Sequence, residues 1–221
     1  MGHQISARNV DNMRLLAFSD LHDEEVTLEK IKEFYLSAKF DFVLIAGDTT
    51  SHSVSFVEEV SEALPNCFVI PGNNEDSKVI EYLKGKEHYI HEKKVAVGVY
   101  NIIGFGFSNK TPFSTPGELA EEEIYERIKD LPIDQKTILV CHCPPCGYFD
   151  SVRGKKTGST SLLRIIHEKE PLVFLCGHIH ELEGVARIGK TTVIKIPAAM
   201  NGKVAVVAIE DKDIKVDFVT V

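Results

Sequence analysis

Five short apolar runs, each followed within three residues by a side chain able to bind a metal, set the strongest limit on how this chain folds. The runs are RLLAFS (14–19), FVLIA (42–46), CFVI (67–70), TILVC (137–141) and LVFLC (172–176). Short and continuously apolar, they read as strands buried on both faces. Between them lie segments of helical period. VTLEKIKEFYLSAK (26–39) puts Leu28, Ile31, Phe34 and Tyr35 on one face, and SFVEEVSEAL (55–64), SKVIEYLK (77–84), GELAEEEIYERIKD (117–130) and TSLLRIIHEKE (160–170) behave alike. Strand, helix, strand in repetition implies right-handed crossovers and a largely parallel sheet. After residue 182 the pattern changes to GVARIG, KTTVIKI, GKVAVVAIE and DIKVDFVTV, which predicts an antiparallel meander. KKVAVGVYNIIGFGF (93–107), broken near Gly98, is a candidate for that second sheet.

At 221 residues the chain suits one large domain, taken as 13–221, with no repeat, low-complexity tract or linker dividing it. The polar, aperiodic MGHQISARNVDN (1–12) reads as a mobile tail or a tag remnant. With 25 Lys plus Arg against 33 Asp plus Glu, the net charge is -8, which argues against an extended nucleic-acid surface or an anionic membrane as partner. An anionic substrate then needs a local positive site. Five cysteines, no secretory leader and no apolar run of membrane-spanning length point to the cytoplasm and to no disulfide framework.

The residues after the five runs are Asp20-Leu21-His22, Gly47-Asp48, Gly72-Asn73-Asn74-Glu75, His142 and Gly177-His178-Ile179-His180. Parallel sheets gather the carboxyl ends of their strands along one edge, where ligands bind. Glycine before Asp48, Asn73 and His178 allows a sharp turn there. In Asp20-x-His22 and His178-x-His180, extended backbone aims both side chains the same way. Asp20, His22, Asp48, Asn73, His142, His178 and His180 make seven ligands. If Asp48 bridges, the seven serve two ions with four contacts each. Two divalent ions against two aspartates leave about two positive charges, enough to bind a phosphate and to hold a hydroxide for in-line attack on phosphorus. Carboxylate, amide and imidazole donors suit Mn, taken first, and equally Fe, Co, Ni or Zn.

In this order the set resembles the calcineurin-like metallophosphoesterase superfamily over residues 14–180. The resemblance implies a four-layer α/β/β/α sandwich, two facing mixed sheets flanked by helices, with a dinuclear centre at the strand ends. It implies one metal on Asp20, His22, Asp48 and His180, and the other on Asp48, Asn73, His142 and His178. CHCPP (141–145), TPF (111–113) and GHIHELEG (177–184) are similar to the small prokaryotic and archaeal single-domain enzymes. Asn73 matches the ligand, whereas Asn74 stands where many members carry the histidine that helps protonate the leaving group. An amide can donate a hydrogen bond to a phosphoryl oxygen but is no general acid at neutral pH. Catalysis is therefore expected from Asp48 and Asn74 on small phosphodiesters or nucleotides. A phosphomonoesterase needs another acid, solvent or His22, and a non-catalytic scaffold of the same fold leaves the full ligand set without a purpose. Ile196-Pro197-Ala198 also departs from the Asn-Pro-Gly of similar chains.

Other features have plainer explanations. Cys141, Cys143 and Cys146 suggest zinc, but cysteine beside a buried strand is usually a small hydrophobe, as are Cys67 and Cys176. His52, His88, His91 and His167 read as surface or cap residues. Arg153, with Lys155 and Lys156, lies in a segment (148–158) that either overhangs the site, where Arg153 holds a substrate phosphate, or is solvated. Phe105, Phe107, Phe113 and the long connection 108–117 either wall the pocket or anchor a sheet edge.

Overall fold

A computed structural model describes residues 12–211 and 213–221. Residues 1–11 of the expected tail lie outside the described residues. Asn12, assigned to that tail, instead opens the first strand opposite Glu210.

The first half of the chain runs β1 (Asn12–Phe18), α1 (Glu25–Ser37), β2 (Phe42–Ala46), α2 (Val54–Ala63), β3 (Cys67–Ile70) and α3 (Ser77–Lys84). A hairpin β4 (Lys94–Val97) and β5 (Tyr100–Phe105) turns at Gly98, whose φ is 57°. Next come two short strands, β6 (Ser108–Asn109) and β7 (Glu118–Leu119), then α4 (Glu121–Ile128) and β8 (Thr137–Cys141). The rest is β9 (Ser151–Val152), β10 (Lys155–Lys156), α5 (Thr160–Lys169), β11 (Val173–Cys176), β12 (Gly184–Ile188), β13 (Thr191–Lys195), β14 (Lys203–Glu210) and β15 (Asp213–Thr220).

Two mixed sheets face each other. The first has the order β15-β14-β1-β2-β3, and the second β12-β13-β11-β8-β5-β4. Alternation along β1 shows how the layers form: Leu15 and Ala17 enter the core shared by both sheets, while Leu16 and Phe18 pack under Leu28, Ile31 and Val57 of α1 and α2. On the far side, Leu139 and Phe174 bury against Ile124, Ile128, Leu162 and Ile165 of α4 and α5. The central strands are thus apolar on both faces, and the layers are helices, sheet, sheet, helices. Helix starts follow local chemistry: Ser53, Asp76 and Ser159 accept hydrogen bonds from the first-turn N–H groups of α2, α3 and α5. No helix among the described residues is long and apolar enough to cross a membrane.

Two differences from the sequence expectation have physical causes. The C-terminal strands form two hairpins rather than one meander: β13 joins β11 in the second sheet, and β14 joins β1 in the first. Residues 196–202 cross between the sheets, with Ala198 bridged to Ser19. The segment 117–130 becomes helical only at Glu121, because Glu118 pairs with Ser108 and gives its carboxylate to the preceding loop.

Candidate metal centre

The five ligand-bearing turns are divided between the sheets. Strands β1, β2 and β3 deliver Asp20, His22, Asp48 and Asn73 from the first, and β8 and β11 deliver His142, His178 and His180 from the second. The Asp-x-His and His-x-His pairs do not use extended backbone. Asp20, His22, Asp48 and His178 have φ of 55°, 50°, 52° and 74°, a left-handed conformation that costs about 1 kcal/mol per residue. Neighbouring turns hold them there. Asp20 N–H donates to Gly47 O (3.0 Å), and Leu21 and His22 N–H donate to Asp48 O (2.9 and 3.1 Å). Glu75 spans two turns, accepting from Thr49 N–H and Gly72 N–H at 2.8 Å each. Of the three glycines before ligands, Gly47 has the expected positive φ of 89°. Gly72 and Gly177 serve close approach instead: a Cβ would lie 2.1 Å from Asp48 Oδ1 and 2.1 Å from Ser19 Oγ, respectively.

These turns aim lone pairs at one another. Asp20 is fully buried; its Oδ2 accepts from Ser19 Oγ (2.5 Å) and His178 N–H (2.9 Å). Its Oδ1 has no hydrogen-bond partner among the described residues, with His180 Nε2 at 3.3 Å and His22 Nε2 at 4.0 Å. The two imidazole nitrogens face each other at 3.3 Å. Asp48 Oδ1 accepts from Asn74 N–H (2.9 Å), and its Oδ2 accepts from the Asn74 amide and lies 3.5 Å from His142 Nε2 and 3.8 Å from His22 Nε2. His142 donates Nδ1–H to Ala46 O (2.7 Å), which leaves Nε2 facing Asn73 Oδ1 at 2.9 Å. A carbonyl oxygen and a neutral imidazole nitrogen at that separation are both acceptors, so the gap takes a proton or a cation. The orphaned Asp20 oxygen and this acceptor pair fit a metal centre of carboxylate, amide and imidazole donors.

The titration of the cluster agrees. Burial works against ionising Asp20, but His180, His142 and Lys195 hold its carboxyl far below the usual range. Asp48 is likewise buried and is brought to about 2 by His142. Burial opposes charge on His142, yet Asp48 and Asp20 raise it to about 9. Burial takes His178 down to about 4. Burial, with Asp48 nearby, pushes Glu75 up to about 8.

The structure gathers Asp20, His22 and His180 in one group of potential ligand atoms, and Asp20, Asp48 and His142 in another, each within 4.8 Å. Asn73 adjoins through His142. His178 belongs to neither group; its ring packs edge-on against His142 at 4.9 Å between centroids. Asn74 gives both backbone and side-chain N–H groups to Asp48. Arg153 sits in the exposed β9–β10 turn at φ 49°, in a loop organised by Asp150, which accepts from Gly147 and Gly158 N–H. An open cleft of about 390 Å³ adjoins His180, lined also by Glu181, Leu182, Glu183, Pro197, Asn201 and Lys203.

Cys141 and Cys143 are buried thiols raised by desolvation, the latter to about 12, and no cysteine enters a ligand group among the described residues. His91 corrects its surface reading: it is buried, accepts from Gly106 N–H (2.8 Å) and faces Arg127 (3.1 Å), with Phe105 and Phe107 packed on its ring. Those two phenylalanines therefore anchor structure, whereas Phe113 is 82% exposed. Glu75, Thr115, Glu118 and the fully buried Lys195, which donates to Ile196 O (2.9 Å), were not singled out by the sequence. Of these only Glu75, inside the Gly-Asn-Asn-Glu turn, had a local signal.

Residues 13–182 match the family model of calcineurin-like phosphoesterases. The chain belongs to the calcineurin-like phosphoesterase family. It is, accordingly, a metal-dependent hydrolase of phosphoric esters. An uncharacterized protein of Methanocaldococcus jannaschii is 32% identical over 197 residues, covering 84% of this chain and 88% of that protein. The crystal structure of a Thermus thermophilus protein, TT1561, superposes with a TM-score of 0.68 at 19% identity, over 93% of this chain and 98% of the other. A structurally characterised archaeal phosphodiesterase superposes at 0.57 with 16% identity, over 94% and 100%. At those identities the two structures speak for the fold, which is the calcineurin-like α/β sandwich.

Proposed function

We propose that the chain is a dinuclear metal-dependent phosphoesterase acting on small phosphodiesters or nucleotides, with diesters preferred. The observation that carries this reading is the Asp48 carboxylate, whose Oδ2 lies between His22 Nε2 at 3.8 Å and His142 Nε2 at 3.5 Å. One ion would be held by Asp20, His22, Asp48 and His180, the other by Asp48, Asn73, His142 and His178. Two divalent ions, when bound, supply a water of lowered pKa and positive charge for the phosphoryl oxygens. Mn is the first ion to test.

The chain's own residues do the rest. Asp48 is oriented by two N–H groups of Asn74, and Asp20 by Ser19 and the His178 N–H, so both carboxylates that would hold the ions are fixed before substrate arrives. Asn74 has no proton to give a leaving group, so esters that need a strong general acid are disfavoured. The cleft beside His180 adds a charge argument. Lys203, its cation, is already paired with Glu183 at 2.9 Å, and Glu181 stands alongside. A phosphodiester enters such a cleft with one negative charge, whereas a monoester carries nearly two at neutral pH. The archaeal phosphodiesterase of like fold agrees with this choice. Five free thiols, four of them buried, suit a reducing, cytoplasmic setting.

The test compares bis-p-nitrophenyl phosphate with p-nitrophenyl phosphate, using metal-stripped protein reloaded with Mn, and repeats both with Asp48→Asn. Diester turnover in the wild type, lower by about 100-fold or more in the variant, is expected. Faster monoester turnover sinks the diester preference, and Mn binding with no turnover of either moves the chain to a scaffold role.

A further inference from the structure

We propose that Glu118, acting through Thr115, fixes which end of the Asn73 amide faces His142 and so builds the second metal position. The inference rests on the dinuclear reading and adds two positioning residues to it. Glu118 lies in β7, at the end of the loop that follows β6. Its Oε1 accepts from the hydroxyls of Thr111 (2.5 Å) and Thr115 (2.7 Å) and from Thr115 N–H (2.8 Å); its Oε2 accepts from Thr111 N–H (3.0 Å). Burial would raise this carboxyl, but those four donors bring it to about 2, so it is ionised at neutral pH. A carboxylate only accepts, so the single hydroxyl hydrogen of Thr115 points at Glu118. Thr115 Oγ is then an acceptor for its other neighbour, Asn73 Nδ2, at 2.9 Å. That sets the amide: nitrogen toward Thr115, oxygen toward His142 Nε2 at 2.9 Å.

The backbone repeats the restraint. Gly117 N–H donates to Asn73 O (2.9 Å), and Ser108 N–H donates to Gly117 O (2.9 Å), so the loop is laced to the ligand's own peptide. A Cβ at residue 117 would stand 2.6 Å from Gly72 O, which is why the strap crosses here on glycine. An asparagine presents opposite hydrogen-bonding character from its two ends, and only the oxygen ligates a metal. The amide meets His142 at Oδ1 and Thr115 at Nδ2, and of these two Thr115 is the one whose hydrogen a carboxylate fixes.

Three variants separate the roles. Thr115→Val removes the acceptor. Glu118→Gln lets an amide donate to Thr115 Oγ, freeing the hydroxyl hydrogen to turn toward Asn73 Oδ1 and reverse the amide. Thr115→Ser keeps the relay. Calorimetric titration of metal-free protein with MnCl2 is expected to show two ions in the wild type and Thr115→Ser. In the other two variants the second ion should bind about 10- to 100-fold more weakly, with the first unaffected. Equal melting temperatures exclude unfolding as the cause. Both ions held at wild-type affinity in Thr115→Val and Glu118→Gln overturns the proposal. A wild type that takes one ion overturns the dinuclear reading. The strap is then judged on metal-free protein: slow hydrogen exchange of the Asn73 side-chain N–H2 by NMR should become fast in Thr115→Val, and unchanged exchange overturns it.

Discussion

A buried histidine outside the metal cluster contributes to the acid limb of stability in a way that a single substitution can isolate. Burial lowers the pKa of His91 from 6.5 to about 4, with Glu92 opposing the shift and Arg127 adding to it. Because the folded value lies below the unfolded one, the stabilisation is complete above pH 6.5 and is lost as pH falls through 4. The size is about 3 kcal/mol at most. His91→Gln keeps an acceptor for Gly106 N–H and cannot titrate, so urea melts between pH 7 and 4 should be flatter for the variant; parallel curves contradict the assignment. His142 behaves oppositely. Raised to about 9 in the metal-free chain, it must release a proton from Nε2 when a cation takes that place. Apparent Mn affinity should therefore climb with pH up to about 9, with protons released in calorimetry, and an affinity flat from pH 6 to 9 argues against His142 as a ligand. The residues that the structure groups as potential ligands, Asp20, His22, Asp48, His142 and His180, were legible because each lies in the turn that follows a strand. His91, Glu118 and Lys195 were not, because their partners are hydroxyls, an arginine and backbone groups that only the folded chain brings near.

Among the elements, the turns after β2, β3 and β11 were legible as turns, those after β3 and β11 for a different reason from the one the structure shows. Glycine there was expected to supply backbone freedom. Gly47 does so, whereas Gly72 and Gly177 leave room for a carboxylate and a hydroxyl that come from other strands. A substitution pair distinguishes the two uses. Gly72→Ala drives a methyl onto Asp48 Oδ1 and Asp48 N, at 2.1 and 2.6 Å, so Asp48 must move and Mn binding should fall at least 100-fold. Gly154→Ala, at φ 76° in the β9–β10 turn, meets nothing within 4 Å and should lose about 1 kcal/mol from backbone strain alone, with Mn binding intact. Equal effects of the two on Mn binding would falsify the close-approach account. The helix boundaries show the same limit of local reading: α3 spans the expected residues because Asp76 caps it, while α4 starts late because Glu118 has a long-range task.

For the whole molecule, the split into two sheets is the feature that periodicity alone could not reveal. Parallel strands flanked by helices look alike in either sheet, since both faces of each are buried, so the pattern that marked a second sheet in the C-terminal strands and 93–107 could not show that β8 and β11 belong to it. The consequence is mechanical. Asp20, His22, Asp48 and Asn73 extend from one sheet and His142, His178 and His180 from the other, so ions bound among them cross-link the two halves of the core. The unfolded chain has no such arrangement, so binding energy adds to folding energy. At a free Mn concentration 100-fold above the dissociation constant, each site should add about 2.7 kcal/mol. That corresponds to a rise in melting temperature of several degrees per site for a chain of this size. Thermal melts with EDTA, with MnCl2, and with MnCl2 on Asp48→Asn test this, since in the proposed dinuclear centre Asp48 would serve both positions. The expected order is wild type with Mn highest and its EDTA form well below, with Asp48→Asn hardly responding to Mn. A wild type that binds Mn tightly by calorimetry yet melts at the same temperature in EDTA would mean that the unfolded chain holds the ions as well, against a site built only on folding.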